Sequence, residues 1–449
     1  MIPIINNIFR TSLLRDSMKL ASSNLLMFLL PLVVTPILSR LYLPEDFGNW
    51  GVFSSTYTIL NFVLFLCFEH TIIKVQHEDF TNAVALCGLT SLLITTVSFF
   101  VYILGYSLGI QFFTKFPCTS FFFGYLVVTI FSTIFLNISN RLKMYWVISI
   151  SYFITGIGQA LFRIIFGANQ LFDNGLIAGT VLSHALSCLF IVIFVLRYFR
   201  TSSLGPQPSL TGIRNVAYNN RKFPLYDAPA TLLAFSAFNL PLIILSYFFD
   251  KAEIGCYSMV IHLLLLPISL IGSAIGKVYF QRLTAKDAPA NNTAKISLQI
   301  LRLTTILAII PALFLLLGGE KLVIMFLGNR WTTVGGVAIS LSIWSIPTVL
   351  TQPMIPIFRA FNHQNELLKY NGLYFLFGVG IVFIGSIAGW NIYMILSSFT
   401  LLCIIVKFMM LGGILQNASI SWNQVFKWHI KLIYILTLAL WIIRIVPII

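Results

Sequence analysis

The sequence predicts an all-α polytopic membrane protein of about 12 transmembrane helices, built as two parallel six-helix repeats with room for an extra C-terminal span. Composition, the spacing of apolar runs and a short internal repeat carry that prediction. Of 449 residues, 58% are hydrophobic and 9% charged, with a mean hydropathy of +0.92. Soluble globular chains hold about 45–50% apolar and about 25% charged residues. Only lipid can solvate this much apolar surface.

A span needs about 20 mostly apolar residues. On that rule the first half reads as spans at 20–41, 50–69, 81–105, 119–139, 147–168 and 175–196, and the second as 226–247, 254–276, 296–318, 334–358, 370–388 and 391–412. Residues 1–196 and 225–412 form the two bundles, joined by a polar linker, 197–224, that contains Gly205-Pro-Gln-Pro208. Residues 413–449 form an extension whose apolar run, Leu432–Ile449, is interrupted by Arg444 and is either a thirteenth span or an interfacial helix. Arg10, Arg15 and Lys19 before the first run resemble a signal peptide, but that run has the length of a full span, so we read it as the first helix.

The net charge of +15 does not point to nucleic acid, because the basic residues sit in short loops and form no stripe that tracks a phosphate backbone. They carry a topological signal instead. With the N-terminus in the cytoplasm, five of the 28 basic residues fall outside (Arg40, Lys115, Lys251, Lys321 and Arg330) and two, Arg163 and Arg444, lie within apolar segments. The remaining 21 fall inside, which makes 197–224 a cytoplasmic linker. The six cysteines (67, 87, 118, 188, 256 and 403) show no CxxC spacing and read as small apolar side chains.

Residues 37–50 and 244–257 align without a gap. Ile37, Leu38, Ser39 and Gly48 match Ile244, Leu245, Ser246 and Gly255, while Tyr42/Phe249, Asp46/Glu253 and Trp50/Tyr257 match in kind. Each copy joins the outside end of one span to the next, after the first and seventh spans. An even number of spans separates them, so the halves share one orientation. Pro31 and Pro36 interrupt the first span, Pro229 and Pro241 the seventh, and Pro347, Pro353 and Pro356 the tenth. Such kinks serve either moving parts or tight packing.

No loop is long enough to hold a nucleotide-binding fold. Gly272-Ser-Ala-Ile-Gly276-Lys277 is one residue short of a phosphate loop and lies inside a span. Small residues four apart, repeated at Gly105/Gly109 and Gly385/Gly389, read as close helix packing. The outside loops are too short for catalytic domains. We therefore expect a transporter rather than an enzyme, without cofactor or metal.

Ionisable groups within spans mark pathways. Arg163 lies deep in the fifth span, towards the outside, and Arg40 ends the first. Lys277 and Arg302 lie near the inside ends of the eighth and ninth, and Glu69 and Asp227 near those of the second and seventh. The four cations are candidates for substrate binding, although snorkelling to the headgroups also accounts for Arg40, Lys277 and Arg302. Glu69 and Asp227 are candidates for gating or coupling. His184 and His262 are mid-span, as proton sites or as hydrogen-bonded packing residues.

Three stretches together resemble the Wzx-like flippases of lipid-linked O-antigen units: P-I-L-S-R-L-Y-L-P-E-D-F-G at 36–48, A-Y-N-N-R-K-F-P-L-Y-D-A-P-A-T-L-L at 217–233, and L-P-I-S-L-I-G-S-A-I-G-K-V-Y-F-Q-R-L at 266–283. Where that family often has Arg-Tyr-Glu after the second span, this chain has Cys67-Phe68-Glu69, so only the Glu carries over. The resemblance implies the multidrug/oligosaccharidyl-lipid/polysaccharide exporter fold in a bacterial inner membrane. It implies an undecaprenyl-diphosphate-linked oligosaccharide as substrate, bilayer lipids as surroundings, and polysaccharide polymerase machinery as a downstream partner. A drug or cation antiporter of the same superfamily would need deep acidic residues. A major-facilitator sugar porter would carry a Gly- and Arg-rich loop where this chain has residues 74–80, and a polymerase would need larger outside loops.

Overall fold

In a bilayer, backbone N–H and C=O groups must be satisfied within their own segment, so apolar runs of this length fold as helices. The computed structural model describes residues 30, 33–199, 206–283, 290–361, 363–426 and 430–449, and every regular element among them is helical. Eight of these helices are long and apolar enough to cross a bilayer, ten when two bent pairs count as one span each. The expected first span lies mostly outside the described residues, Pro31 included, and its last part is α1, 33–41. The expected eighth span falls within a 33-residue helix, Lys251–Leu283.

The chain divides into two compact units. One runs up to Tyr42 and from Val52 to Leu232; the other comprises Leu43–Gly51 and Leu233–Ile449. The first unit holds α1, most of α2 (Pro44–Leu64), α3 (Phe80–Ser107), α4 (Thr119–Arg141), α5 (Tyr145–Ala168) and α6 (Gly175–Phe199). The linker from residue 206 onward is folded onto it. Helix α7 (Leu210–Asn219) follows Ser209, whose backbone N–H donates to Asn82 Oδ1, and Thr81 donates to the Pro206 carbonyl.

The second unit takes in most of α8 (Ala228–Phe248), then α9 (Lys251–Leu283), α10 (Ala290–Phe314), α11 (Val334–Ser342), α12 (Ser345–Thr351), α13 (Gln364–Ile387), α14 (Ile392–Asn417) and α15 (Ile430–Ile445). Trp441 ties α15 to α11 through a 2.9 Å hydrogen bond to the Ile339 carbonyl. With 16 residues, α15 is about 24 Å long, short of the hydrocarbon core of about 30 Å.

Two spans are broken, for different reasons. The tenth turns by 48° between α11 and Ser345–Ala360. Pro347 sits in α12, and Pro353 and Pro356 follow through a 3-10 turn, Gln352–Met354. The second span turns by 56° after α2 with neither Gly nor Pro at the break. There Leu66 (φ 49°) and Cys67 (φ 61°) adopt left-handed backbone, and a 3-10 turn, Phe68–His70, replaces the last helical turns of the expected 50–69 span.

The internal repeat is reproduced bond for bond. Ser39 and Ser246 each donate to the carbonyl three residues back. Tyr42 N–H bonds the Leu38 carbonyl and Phe249 N–H that of Leu245, both at 2.9 Å. Asp46 accepts from the Leu43 amide, and Glu253 accepts from that of Asp250, the equivalent position. Within the second unit the matched glycines meet. A side chain on Gly48 would collide with the Lys251 carbonyl, and one on Gly255 with that of Pro44, the residue equivalent to Lys251. Reciprocal contact between equivalent residues is the signature of a local twofold.

The glycine pairs need one correction. Gly272 does pack closely, since an added Cβ would stand 2.6 Å from Gln352 Cγ. Gly109 (φ 68°) and Gly389 (φ 72°) instead end helices, with nothing near their missing Cβ. Ile110 N–H returns to the Gly105 carbonyl and Trp390 N–H to that of Gly385, both at 3.0 Å, the bond that closes a Schellman motif. The four-residue spacing there is C3 to C′ of a helix end, and only the first glycine of each pair packs closely: a Cβ on Gly105 would collide with the Phe113 ring, and one on Gly385 would stand 2.9 Å from Ile395 Cγ1 of α14.

Candidate functional site

Among the described residues only two charged side chains are buried: Arg163 (7% exposed) in the first unit and Lys407 (5%) in the second. Neither carboxylates nor other cations join them. On insertion scales a central Arg or Lys costs about 2.5–3.5 kcal/mol, so such groups persist where packing or function holds them.

Arg163 projects from α5 against α6. Gly179 makes the room, since a Cβ there would stand 2.9 Å from Arg163 Cγ. Its Nη2 donates to Thr180 Oγ1 at 2.6 Å, while that hydroxyl donates its own proton to the Leu176 carbonyl. The Arg163 backbone carbonyl accepts from Tyr42 in the signature loop, at 2.7 Å, and the Tyr42 ring lies over Gly167 and Gly175. A polar and aromatic seam continues inward from there. His184 Nδ1 lies 2.9 Å from the Thr180 carbonyl, which makes that nitrogen the protonated one, and its ring meets Tyr125 edge-on at 5.0 Å. Tyr125 lies against Tyr57, whose hydroxyl bonds Thr129 Oγ1 at 3.0 Å. Thus the geometry gives His184 a hydrogen-bonded place in this seam, and His262 packs edge-on to Trp50.

Lys407 lies in α14, ten residues before its end. Its ammonium is 4.9 Å from the centre of the Tyr374 ring and 6.0 Å from that of Phe238, both within cation–π range. Trp344 Nε1 donates to the Tyr374 hydroxyl at 2.8 Å and fixes that ring. No acidic side chain pairs with Lys407 among the described residues. Sequence reading missed it because the expected span closes at 412, which makes Lys407 look like one more residue of the positive-inside cluster. The helix runs on to Asn417 and carries it into the bundle.

The other expected site residues are placed differently. Arg40 is exposed and bonds the Pro36 carbonyl of its own helix at 2.7 Å. Arg302 is exposed on α10, and Lys277 falls on α9 with its side chain outside the described residues. Glu69 and Asp227 do come together around Cys67, close enough for both to act on it electrostatically. Glu69 follows the left-handed break, with Oε1 3.8 Å from His70 Nε2 and Oε2 buried without a hydrogen bond. Asp227 ends a π-helical turn, Phe223–Asp227, and is exposed. No group of His, Cys, Asp and Glu among the described residues is arranged to hold a metal.

Against known proteins, residues 37–335, more than half of the chain, match the family described as "Polysaccharide biosynthesis protein". In structure the chain is similar to the lipid II flippase MurJ in an inward closed conformation (TM-score 0.68, 10% identity, 94% of this chain and 97% of that one). It is also similar to an inward-facing multidrug-resistance MATE transporter of the MOP superfamily (TM-score 0.64, 14% identity, 88% and 96%). A MOP-superfamily transporter from Pyrococcus furiosus, described as having a binding pocket of reversed polarity, aligns with TM-score 0.56 at 12% identity over 90% and 95%. No curated protein matches by sequence.

Proposed function

We propose that this chain, which belongs to the polysaccharide biosynthesis protein family, is a flippase for an undecaprenyl-diphosphate-linked oligosaccharide. It carries an O-antigen or similar repeat unit from the cytoplasmic to the periplasmic leaflet of a bacterial inner membrane by alternating access. One observation carries the choice of substrate: the buried charges of the described residues, one in each unit, are both basic. A polyprenyl tail needs no help in lipid, but sugar and diphosphate cannot cross hydrocarbon unaided. The planar guanidinium of Arg163 matches phosphate oxygens through paired N–H donors, and Lys407 offers a point charge on an aromatic floor that also suits sugar rings. With the interior negative, outward movement of an anion is downhill by about 2.3 kcal/mol per charge per 100 mV. Glu69 and Asp227 supply the titratable pair for gating or coupling. A drug or cation antiporter would need the opposite interior polarity.

Deleting the gene should remove surface polysaccharide and leave single lipid-linked repeat units on the cytoplasmic leaflet. Accumulation of polymerised but unligated chains on the periplasmic side would place the protein after translocation and end this reading.

A further inference from the structure

The second span ends in an arm whose bend its own sequence does not account for. After α2 the chain turns by 56° at Phe65-Leu-Cys-Phe68, four apolar residues that favour a continuous helix in lipid. Leu66 (φ 49°) and Cys67 (φ 61°) both take left-handed backbone, which strains any residue with a Cβ and persists only where the surroundings enforce it. Beyond the break, Phe68–His70 and the single turn Thr71–Lys74 form the arm, with Thr71 and Ile72 fully buried. Arg141, the last residue of α4, donates from Nη1 to the carbonyls of Ile72 and Val75, both at 2.7 Å. Its guanidinium lies 5.0 Å from the centre of the Phe80 ring. A basic side chain bonded to the last carbonyls of a helix satisfies groups that the helix end leaves open. On the other side Lys74 Nζ donates to Asn220 Oδ1 at 3.3 Å, and the His70 ring lies 5.9 Å from that of Phe223, both in the segment that leads into α8.

Glu69 sits at the base of this arm, directly after the break, with Oε2 buried and without a hydrogen bond among the described residues. It keeps that place only while the bend is kept. The arm, residues 68–75, is about 12 Å long, so straightening by 56° would carry its tip on the order of 10 Å and take Glu69 with it. Of the contacts named, those of Arg141 are the shortest, and they grip the backbone itself. We infer that Arg141 is a positioning residue. It clamps residues 68–75 against the strain at Leu66 and Cys67 and thereby sets Glu69; its release lets the arm swing towards a straight span. The inference rests on the reading of Glu69 as a gating or coupling residue and adds the device that places it.

The full-length protein carrying Ile73→p-acetylphenylalanine on the arm and Trp146→p-acetylphenylalanine on α5, both exposed sites, is spin-labelled. Pulsed electron paramagnetic resonance then reads the distance between the labels. The parent should give one distance. Arg141→Met, which removes both donors, should add a second population displaced by several ångström. Cys67→Val should do the same with the clamp intact, because a β-branched residue resists left-handed backbone. Cys67→Gly in the Arg141→Met protein removes strain and should return the parental distance. Surface polysaccharide, normalised to protein in the membrane fraction, should fall at least several-fold in Arg141→Met and recover at least half with Cys67→Gly. Gln170→Gly relieves left-handed backbone elsewhere in the same unit (φ 51°) and should recover none, which separates positioning from general stability. If Arg141→Met does not accumulate, Arg141→Gln takes its place. The parental distance alone in Arg141→Met, or equal recovery by Gln170→Gly, overturns the inference. Normal polysaccharide with a displaced arm also overturns it and leaves the flippase reading standing. Distances that behave as stated, with no lipid-linked glycan moved by the parent chain, remove the flippase reading and leave the clamp.

Discussion

Alanine at Gly48 or at Gly255 should each lower the thermal midpoint of the purified protein, while the double substitution should cost clearly less than the sum. At each site the added methyl would fall on a backbone carbonyl, Lys251 or Pro44, which no rotamer change can move aside. Overpacking of this kind costs about 1–3 kcal/mol. For units of about 200 residues that is roughly 2–12 °C. The contact is reciprocal, so once one methyl has forced the segments apart the second enters space already opened. Neighbours that share one backbone shift are non-additive in this way. A thermal-shift series showing wild-type midpoints, or two fully additive losses, would remove the close crossing from the description of this fold.

The second large effect separates stability from function at the two buried cations. Lys407→Met keeps volume and removes a buried charge that has no acidic partner among the described residues. Replacing buried ions by apolar groups of similar size is often neutral or stabilising by about 1–4 kcal/mol. The midpoint should therefore hold or rise while surface polysaccharide collapses. Arg163→Ala should also abolish most transport, by on the order of ten- to 150-fold if one charge-assisted hydrogen-bonding site worth about 1.5–3 kcal/mol is lost. Arg163→Lys should restore only part, because an ammonium keeps the charge and loses the paired geometry. The measurement is surface polysaccharide normalised to protein in the membrane fraction. Normal polysaccharide in Lys407→Met would assign that residue to packing alone.

How much of this was legible beforehand differs by residue. Helix positions follow from apolar runs, because in lipid composition and length leave little choice. Arg163 stands out for the same reason: apolar residues flank it on both sides. Lys407 was hidden by the last turns of α14, whose extent depends on the turn that follows at Ala418–Ser419. The 65–67 break was hidden too, since Leu66 and Cys67 carry no turn signal and the bend is imposed by the surroundings. The repeat at 37–50 and 244–257 was legible as sequence, but that its two glycines would pack on each other is a property of tertiary structure. Spacing alone does not separate the packed glycines, Gly105, Gly272 and Gly385, from the helix-ending Gly109 and Gly389, because a Schellman motif places C3 and C′ four residues apart as well.

The central claim, an anionic lipid-linked sugar moved by a basic interior, is tested most directly in proteoliposomes. The protein is reconstituted with a polyprenyl-diphosphate oligosaccharide bearing a reducible fluorophore, and an impermeant reductant is added outside. With the protein present, the fluorescence surviving reduction should fall towards zero as inner-leaflet lipid crosses, and the Lys407→Met and Arg163→Ala proteins should leave it near half. The account is contradicted if the parent protein leaves that lipid in place and instead moves a lipophilic cation in exchange for protons.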